Sequence, residues 1–286
     1  MADAPQWQCV MIAWGEKYGV SDINRLITAI ATHTHRPARF ILLSDRPRPG
    51  LDARAELRPI PDFFLQPRFV TGGCQAKLCL FAPGVLPDDL PAIYIDLDTV
   101  VTGDLSAGIN LLTTRQTVRI LQSVVLPLGW PGRLVSRLTG GRRYARGNSS
   151  VVIFHPAECG YIAERFRTLH AQYPDFSFRP MIADERFISW AAQAVIEPIP
   201  ASFAVKFPAE FMARSPLIAR IKARLPWVRA RRAKLVAVTL CGMSVKPEAL
   251  LRLPEGARVK DSKNRVLIWS DAVIGRTRRD ILNFYR

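Results

Sequence analysis

The sequence contains no apolar run of the roughly 20 residues that a membrane-spanning helix requires. Cysteine is scarce: the five residues show no spacing typical of a disulfide framework or a zinc site, which favours reduced thiols. The first residues, MADAPQWQ, lack the basic start and the apolar core of a secretory signal peptide. We therefore expect a cytoplasmic protein.

Acidic residues are few compared with basic ones, and the imbalance is concentrated at one end of the chain. The net charge is +16, of which residues 1–209 contribute +4 and residues 210–286, with 18 basic and 6 acidic side chains, contribute +12. A basic end can bind nucleic acid or an anionic membrane, or it can be a solvated basic face. The hydrophobic content of 49% indicates a globular protein, built as one large domain or two unequal parts.

The most informative motif of the sequence runs from Ala92 to Leu105 and reads AIYIDLDTVVTGDL. Its apolar start predicts a buried strand, and two carboxylates, Asp96 and Asp98, follow with one residue between them. Residues two apart on an extended chain point the same way, so both can face one site at the strand's carboxyl end, where open α/β sheets bind ligands. Such a pair favours a shared Mg²⁺ or Mn²⁺ that holds a diphosphate.

Two enzyme families use a carboxylate pair at a strand end. Haloacid-dehalogenase phosphatases place a nucleophilic and an acid/base aspartate two apart after their first strand, whereas nucleotide-sugar glycosyltransferases with a GT-A fold use Asp-x-Asp for metal and diphosphate. In this chain the pair lies far beyond the first predicted strand, and no convincing second acidic pair follows a later strand. The glycosyltransferase interpretation is the stronger of the two.

The first part of the chain predicts a parallel βαβ unit. Strands are expected over Trp7 to Ala13 and Arg39 to Ser44, with a helix that begins at Ser21 between them. A loop follows the first strand, and a nucleotide base could stack on its aromatic side chains, although such aromatics also serve as packing residues. The nucleotide-binding candidates in this loop are Trp14, Gly15, Lys17 and Tyr18.

Three later segments matter for the interpretation. Thr117 to Val125 predicts another strand, and Pro127 to Arg146 predicts a long loop with five arginines that could bind an acceptor. Phe211 to Lys234 holds eight basic residues and no acid, with apolar residues at helical spacing after Ser215-Pro216. That composition is typical of a helix lying on a membrane surface, and core packing of the same apolar residues is the alternative.

Taken in order, these motifs resemble bacterial glycosyltransferases related to glycosyltransferase family 8. The matching pieces lie within residues 7–207 and are WGEKYG, RFILLSD, AKLCLF, YIDLDTVVTGDL, GNSSVVIFHP, DERFISWAAQ and FAVKFP. The resemblance implies an α/β fold with a GT-A-type, Rossmann-like mixed sheet flanked by helices, followed here by a basic C-terminal extension. It also implies a nucleotide-sugar donor, a divalent metal, usually Mn²⁺, and retention of the anomeric configuration.

The same resemblance assigns roles to individual residues. Asp96 and Asp98 bind the metal, and Asp96 also lies near the ribose or donor sugar. Lys77 stands where the family has a basic residue near the donor, and Lys206 of FAVKFP is a further donor-binding candidate.

The resemblance assigns contacts with the sugar itself to three other residues. Asn148 and Asp184 match positions that hold the sugar hydroxyls, and Glu185 matches a position that is usually Gln in the family. A carboxylate at that position could stabilise an oxocarbenium-like transition state or attack the anomeric carbon.

The family's His-x-Gly-x-x-Lys-Pro motif is altered in this chain. Lys246-Pro247 is present, so Lys246 is expected to contact the diphosphate, but the metal-binding histidine is replaced by Cys241 and the glycine is displaced by one position. A thiolate is a softer ligand than Mn²⁺ or Mg²⁺ favours. The metal could therefore bind weakly, another residue could replace the ligand, or catalysis could be lost.

The sequence therefore predicts a hexosyltransferase with two parts. Residues 1–209 form the nucleotide-sugar-binding and catalytic domain, and residues 210–286 form a basic region that includes the membrane-surface helix and returns to the active site. The expected partners are a UDP-hexose and a glycan or lipid-linked acceptor. A further expected partner is the anionic inner surface of the membrane. Nucleic acid is not expected, because no recognisable nucleic-acid motif is present. A catalytically degenerate binding protein is the main alternative, and a phosphatase is the lesser one.

Overall fold

The computed structural model describes residues 4–122 and 126–286, and their contacts divide the chain into two compact units. The first unit contains the described residues up to Ile27, His35–Leu97 and Ser106–Ile199. The second unit contains Thr28–Thr34, Asp98–Leu105 and Pro200–Arg286. The second unit is thus assembled from separate pieces of sequence, and the predicted domain boundary between residues 209 and 210 stays a prediction.

The strands of the described chain are short, and β1 and β7 are among the longest. In chain order they are β1 (Trp7–Ala13), β2 (Ala38–Ser44), β3 (Ala55–Pro59), β4 (Ala92–Ile95), β5 (Thr99–Val101), β6 (Val118–Gln122), β7 (Gly147–Phe154), β8 (Ile196–Ile199), β9 (Ala204–Lys206), β10 (Ala237–Thr239), β11 (Ala257–Lys260) and β12 (Val266–Trp269).

The α-helices alternate with these strands over most of the chain. They are α1 (Val20–His33), α2 (Pro67–Thr71), α3 (Trp130–Leu138), α4 (Pro156–Cys159), α5 (Tyr161–Gln172), α6 (Asp184–Ala191), α7 (Phe207–Phe211), α8 (Pro216–Arg224), α9 (Pro226–Ala233), α10 (Pro247–Leu250), α11 (Asp271–Ile274) and α12 (Arg276–Phe284). Single 3₁₀ turns or short 3₁₀ helices cover Asp62–Leu65, Gln75–Phe81, Leu105–Leu111, Arg179–Ile182 and Met243–Val245.

Seven described strands of the first unit form one mixed sheet in the order β3-β2-β1-β4-β7-β6-β8. β1 runs parallel to both β2 and β4, whereas β7 runs antiparallel to both β4 and β6. The predicted β1–α1–β2 unit is confirmed. Every residue of β1 is buried, which explains its nearly unbroken apolar sequence, because both faces of a central parallel strand are covered.

The strand predicted over Thr117 to Val125 is found in part. It forms β6 over Val118–Gln122, between β7 and β8 in the sheet. The predicted continuation over residues 123–125 lies outside the described residues.

The long loop predicted from Pro127 to Arg146 contains a helix, so that part of the prediction is wrong. The helix is α3. It was not predicted because it has a proline and a glycine near its N-terminus, and both residues have low helix propensity. Pro131 stands in the first turn, where a proline is tolerated because its missing N–H is not needed. Gly132 is buried, and a Cβ there would lie 2.5 Å from the Cβ of Ala145 and 2.9 Å from the carbonyl oxygen of Pro127. Close packing of the helix against the following segment therefore requires a glycine.

The short helix that carries Lys77 is anchored by the core of the first unit. Leu78, Cys79, Leu80 and Phe81 of this 3₁₀ helix are all buried in the main hydrophobic cluster. Phe81 packs on Phe154 of β7 with ring centroids 4.8 Å apart. A side chain on this helix therefore has a fixed position relative to the sheet.

The second unit is built on two small sheets. β10 lies between β5, to which it is antiparallel, and β9, to which it is parallel. β11 and β12 form an antiparallel pair. A separate hydrophobic cluster fills this unit, and its largest members are Phe207, Phe211 and Trp269.

Two findings bear on the expectations from composition. Among the described residues, no helix is both long and apolar enough to cross a membrane. No disulfide joins the five cysteines, all of which lie in the described part of the chain. Burial raises the pKa of the Cys9 and Cys79 thiols, so these two side chains are unreactive core residues.

Glu210 is a buried acid that holds the basic helices of the second unit in place. Its carboxylate is 5% exposed and accepts hydrogen bonds from Arg231 at 2.6 and 2.8 Å and from Arg232 at 2.7 Å. The Lys222 ammonium donates to the backbone carbonyl of Glu210 at 2.6 Å. This single acid therefore fixes basic side chains of both α8 and α9.

Replacing Glu210 should destabilise the second unit strongly. Glu210→Ala leaves two arginines without their buried counter-charge, and breaking a buried ion pair in this way costs about 3–5 kcal/mol of unfolding free energy. Denaturant unfolding of the variant checks this value. Glu248→Ala, at an exposed position of the same unit, is the matched control and should change stability by less than about 0.5 kcal/mol. Equal, small effects in both variants would contradict the assigned role.

Candidate active site

The antiparallel pairing of β4 and β7 creates the centre of the candidate site in the first unit. Ile95, the last residue of β4, lies opposite Val151, and the backbone N–H of Asp96 donates to the carbonyl of Ser150 at 2.9 Å. The carboxyl end of β4 thus lies beside the amino end of β7, where Asn148 and its neighbours stand. Strand register therefore brings two predicted motifs together that are far apart in sequence.

Lys77 neutralises the buried carboxylate of Asp96. Its ammonium lies 2.6 Å from Oδ1 of Asp96, which also accepts a short hydrogen bond from the Tyr94 hydroxyl. Burial is the strongest influence on Asp96 and alone would raise its pKa, but Lys77 and the hydrogen bonds outweigh burial and hold that pKa below the ordinary value. Burial opposes the charge on Lys77 as well, yet the surrounding groups, Asp96 above all, raise the pKa of Lys77 well above its ordinary value. Both groups are therefore charged at neutral pH.

Asp184 is the second buried carboxylate of this cluster. It opens α6, accepts a hydrogen bond from the Ser149 hydroxyl at 2.5 Å and lies 4.0 Å from the Lys77 ammonium. Burial, which is the largest effect, raises the pKa of Asp184 to about 6, with Lys77 and Ser149 acting in the opposite direction. This carboxyl group is thus poised to change its charge close to neutral pH.

Gly73 allows the segment before Lys77 to approach α6 closely. Its carbonyl accepts a hydrogen bond from the backbone N–H of Asp184 at 2.8 Å. A Cβ at this position would lie 2.0 Å from the carbonyl oxygen of Ile182, a distance that no side chain can occupy. The glycine is therefore required for the arrangement of Lys77 and Asp184.

Glu185 is held by Asn148 across the start of β7. The amide nitrogen of Asn148 donates to Oε2 of Glu185 at 2.6 Å. The backbone carbonyl of Glu185 accepts a hydrogen bond from the Ser189 hydroxyl at 2.6 Å, and this hydroxyl accepts one from the N–H of Gly147 at 3.0 Å. The structure thus brings Asn148, Asp184 and Glu185 together with Lys77 and Asp96 in one cluster; their roles stay predictions.

The loop after β1 is stabilised by groups that the sequence did not single out. Gly15 has a φ of +63°, and its N–H donates to Asp45 at 3.1 Å. Arg48 donates to the carbonyl of Gly15 at 3.0 Å and pairs with Asp45 at 3.2 Å. Because β1, β2 and β4 are parallel, Asp45 follows β2 at the same edge of the sheet at which Asp96 follows β4. This shared edge is the signal that could have identified Asp45.

The aromatic side chains of this loop have different environments. The indole N–H of Trp14 donates to the carbonyl of Val70 at 3.0 Å, and its ring packs against the main core. The ammonium of Lys17 lies 5.0 Å from the centroid of the Tyr18 ring. Trp14 thus has a structural role already, and nucleotide binding by Trp14, Gly15, Lys17 and Tyr18 stays a prediction.

The second unit holds its own cluster around Asp98. Asp98 precedes β5, is 5% exposed and pairs with the ammonium of Lys246 through a short contact. Thr239 of β10 lies 3.5 Å from the other carboxylate oxygen. In the small sheet, Thr239 stands opposite Thr99 on one side and Lys206 on the other. Strand pairing within this unit therefore places the predicted residues Asp98, Lys206 and Lys246 around one β-strand end.

The side chains around the two aspartates do not fit a divalent metal as they are placed. Asp96 and Asp98 each have a lysine ammonium as counter-ion, and the predicted third ligand, Cys241, offers a soft sulfur. Within residues 4–122 and 126–286, no group of three or more His, Cys, Asp or Glu side chains is placed to hold a metal ion. The predicted metal ligands Asp96, Asp98 and Cys241 and the predicted Mn²⁺ or Mg²⁺ thus stay predictions.

Several solved structures share this architecture. Galactosyltransferase LgtC, solved in complex with donor and acceptor sugar analogues, is 14% identical with a TM-score of 0.52, over 84% of this chain and 88% of LgtC. The bifunctional glycosyltransferase WbbM is 12% identical with a TM-score of 0.58, over 99% of this chain and 50% of WbbM. Glycosyltransferase GlyE of Streptococcus pneumoniae is 13% identical with a TM-score of 0.53, over 85% of this chain and 56% of GlyE. The chain has a GT-A-type glycosyltransferase fold.

This likeness confirms the predicted fold class. The chain spans about half the length of WbbM and GlyE. No protein-family model matches the chain, and no curated protein matches it by sequence. Membership of glycosyltransferase family 8 in particular stays a prediction.

The raised pKa of Asp184 predicts a specific pH dependence of stability. Because the folded state binds this proton more tightly than the unfolded chain, the stability contributed by Asp184 is complete below pH 3.8 and is lost as the pH rises through about 6. Relative to Asp184→Asn, which cannot titrate, the unfolding free energy of the parent protein should fall by about 1 kcal/mol between pH 5 and pH 8.

Denaturant unfolding at several pH values measures this difference. Asp88→Asn, at an exposed position, is the control for removal of a carboxylate as such, and its stability at pH 7 should lie within about 0.5 kcal/mol of that of the parent protein. A parent-minus-variant difference for Asp184→Asn that does not change with pH would contradict the raised pKa.

Proposed function

We propose that this protein is a glycosyltransferase that moves a hexose from a nucleotide sugar, UDP-linked, to a glycan or lipid-linked acceptor with retention of configuration. One observation carries the proposal: Lys77, Asp96, Asn148, Asp184 and Glu185 converge at the carboxyl edge of a GT-A-type sheet. Ligands bind at this edge in open α/β sheets. The similar proteins are named glycosyltransferases, and LgtC was solved with donor and acceptor sugar analogues.

In this proposal, buried carboxylates and amides hold the sugar. Asn148 and Asp184 bind the sugar hydroxyls, because carboxylate oxygens accept hydrogen bonds from hydroxyl groups and an amide can both donate and accept. Asn148 is held by its hydrogen bond to Glu185, and Asp184 is held by the hydrogen bond from Ser149. Because both side chains have fixed positions, they orient the sugar before reaction.

Glu185 stabilises the positive charge that develops on the sugar ring. The hydrogen bond from Asn148 holds its carboxylate in one orientation, so little reorganisation is needed when the glycosidic bond breaks. A carboxylate aimed at an oxocarbenium-like transition state is an efficient electrostatic stabiliser, and the same group could attack the anomeric carbon in a retaining reaction.

Lysines supply the charge that the leaving diphosphate needs. Lys246 contacts the diphosphate and Lys206 assists it, and both belong to the cluster around Asp98. Negative charge increases on the leaving phosphate as the bond to the sugar breaks, and a positioned ammonium stabilises it. Phosphate oxygens compete with Asp98 for the ammonium of Lys246.

Metal dependence is a separate prediction from the Asp96-Leu97-Asp98 motif. No step of the proposal above depends on a metal, because both carboxylates already have lysine counter-ions. The release of UDP from UDP-hexoses, assayed in Mn²⁺, in Mg²⁺ and in EDTA, tests the prediction. Equal rates in Mn²⁺ and in EDTA would contradict metal dependence and leave glycosyl transfer intact.

We also propose a cytoplasmic location with access to an anionic membrane. The net charge of +12 over residues 210–286 supports it, because basic residues near a bilayer are attracted to the anionic lipids of the cytoplasmic leaflet.

The role of Glu185 can be tested with a conservative variant. Glu185→Gln keeps the size of the side chain and an oxygen that can accept the hydrogen bond from Asn148, but it removes the charge. Turnover of the preferred UDP-hexose should therefore fall about 100-fold, as when one transition-state stabiliser is removed. Quantification of UDP release across a panel of UDP-hexoses, with and without glycan acceptors, measures the effect. Glu164→Gln, exposed on α5, is the matched control and should retain full activity.

Two outcomes would change the interpretation. Full activity of Glu185→Gln would remove Glu185 from the mechanism. UDP binding by the parent protein without turnover of any sugar donor would favour the catalytically degenerate binding protein, the alternative that Cys241 suggests.

A further inference from the structure

Helices α8 and α9 expose large apolar side chains. Leu217, Ile218, Ile221 and Trp227 are 66%, 49%, 52% and 65% exposed, and we refer to these four side chains as the α8–α9 apolar surface. Such large side chains are usually buried in a globular protein, and a cluster of exposed ones marks an interaction site.

The opposite side of these helices provides the packing in the second unit. Ala219 and Val228 are each 3% exposed, and Ala219 packs against Ile268 and Val273. Small residues therefore face the core, while the larger ones face outward. The alternative in which the apolar residues of α8 serve as core is wrong for Leu217, Ile218 and Ile221, which are exposed.

The basic residues of the two helices and of the positions just outside them divide into two groups. Lys222, Arg231 and Arg232 are bonded to Glu210 and have a structural role. The others are exposed, and they are Arg214, Arg220, Arg224, Arg229 and Lys234. The second group surrounds the apolar surface in sequence and gives it a strong positive charge.

A cleft with several arginines in its walls lies within the second unit. It has a volume of about 800 Å³ and is lined by α8, α9 and residues 271–277. Arg224, Arg229, Arg232 and Arg276 contribute to its walls, and Asp271, which pairs with Arg278, is the acidic residue among them. The cleft has a size and a charge that suit a phosphate-bearing headgroup.

We propose that the α8–α9 apolar surface docks on an anionic phospholipid bilayer, with both helices lying in the plane of the interface. The apolar side chains enter the boundary between headgroups and acyl chains, and the exposed basic residues contact anionic headgroups. Charge complementarity selects this partner, because five exposed cations flank the apolar side chains along the segment and neither helix contains an acid, a combination that fits a negatively charged lipid surface. The inference does not depend on glycosyl transfer.

Vesicle sedimentation of the purified full chain tests the proposal. The protein should sediment with vesicles of phosphatidylcholine and phosphatidylglycerol, and binding should weaken by about tenfold or more with phosphatidylcholine alone or in high salt. Replacing Leu217, Ile221 and Trp227 by serine should weaken binding to the anionic vesicles about tenfold, since the buried apolar area is lost.

A matched control distinguishes binding by this surface from nonspecific binding by any exposed apolar side chain. Trp130→Ser with Leu138→Ser removes two exposed apolar side chains, 70% and 76% exposed, from α3 of the first unit. This control should keep most of the vesicle binding. Thermal unfolding should be similar in all proteins, because each substituted side chain is exposed.

Three results would overturn the proposal. The first is failure of the parent protein to sediment with anionic vesicles. The second is an equal loss of binding in the α3 control and the α8–α9 variant. The third is absence of vesicle binding together with self-association that the α8–α9 substitutions abolish. The last result would show that the surface binds a second copy of this chain instead of lipid.

Discussion

Buried carboxylates that must be neutralised are the constraint on which the candidate site depends. Asp96 and Asp184 share the ammonium of Lys77, and Asp98 takes that of Lys246. Burying a carboxylate without such a partner costs folding free energy, so each lysine must stay close to its carboxylate. Each pair holds its opposite charges at fixed positions within its own unit.

The environments of the two motif aspartates differ from those that the motifs predict. At the position where the family that the motifs resemble has a histidine ligand, this chain has Cys241, and both aspartates already have cationic partners. Lysine ammonium groups can stabilise a diphosphate leaving group electrostatically, as a metal ion does, although without its Lewis acidity. In the proposed function, the counter-charge of the leaving diphosphate therefore comes from lysines of this chain.

Much of the first unit could be predicted from sequence, because β1, β2 and β4 are apolar runs with polar residues at their carboxyl ends. Tyr94 and Ser149 could not be found in this way, since their contacts depend on the register between β4 and β7. The second unit is harder still: it joins residues 98–105 to residues 200–286 through the pairing of β5 with β10, and no local pattern reveals that pairing.

The proposed function requires the protein to bind a nucleoside diphosphate, the leaving group of a sugar donor. Calorimetric titration of UDP, with uridine as the matched ligand without phosphates, tests this requirement directly. We expect saturable UDP binding and at least about tenfold weaker binding of uridine, because the proposed lysine contacts are made to the phosphates. Absence of UDP binding, both in Mn²⁺ and in EDTA, would refute the proposed function.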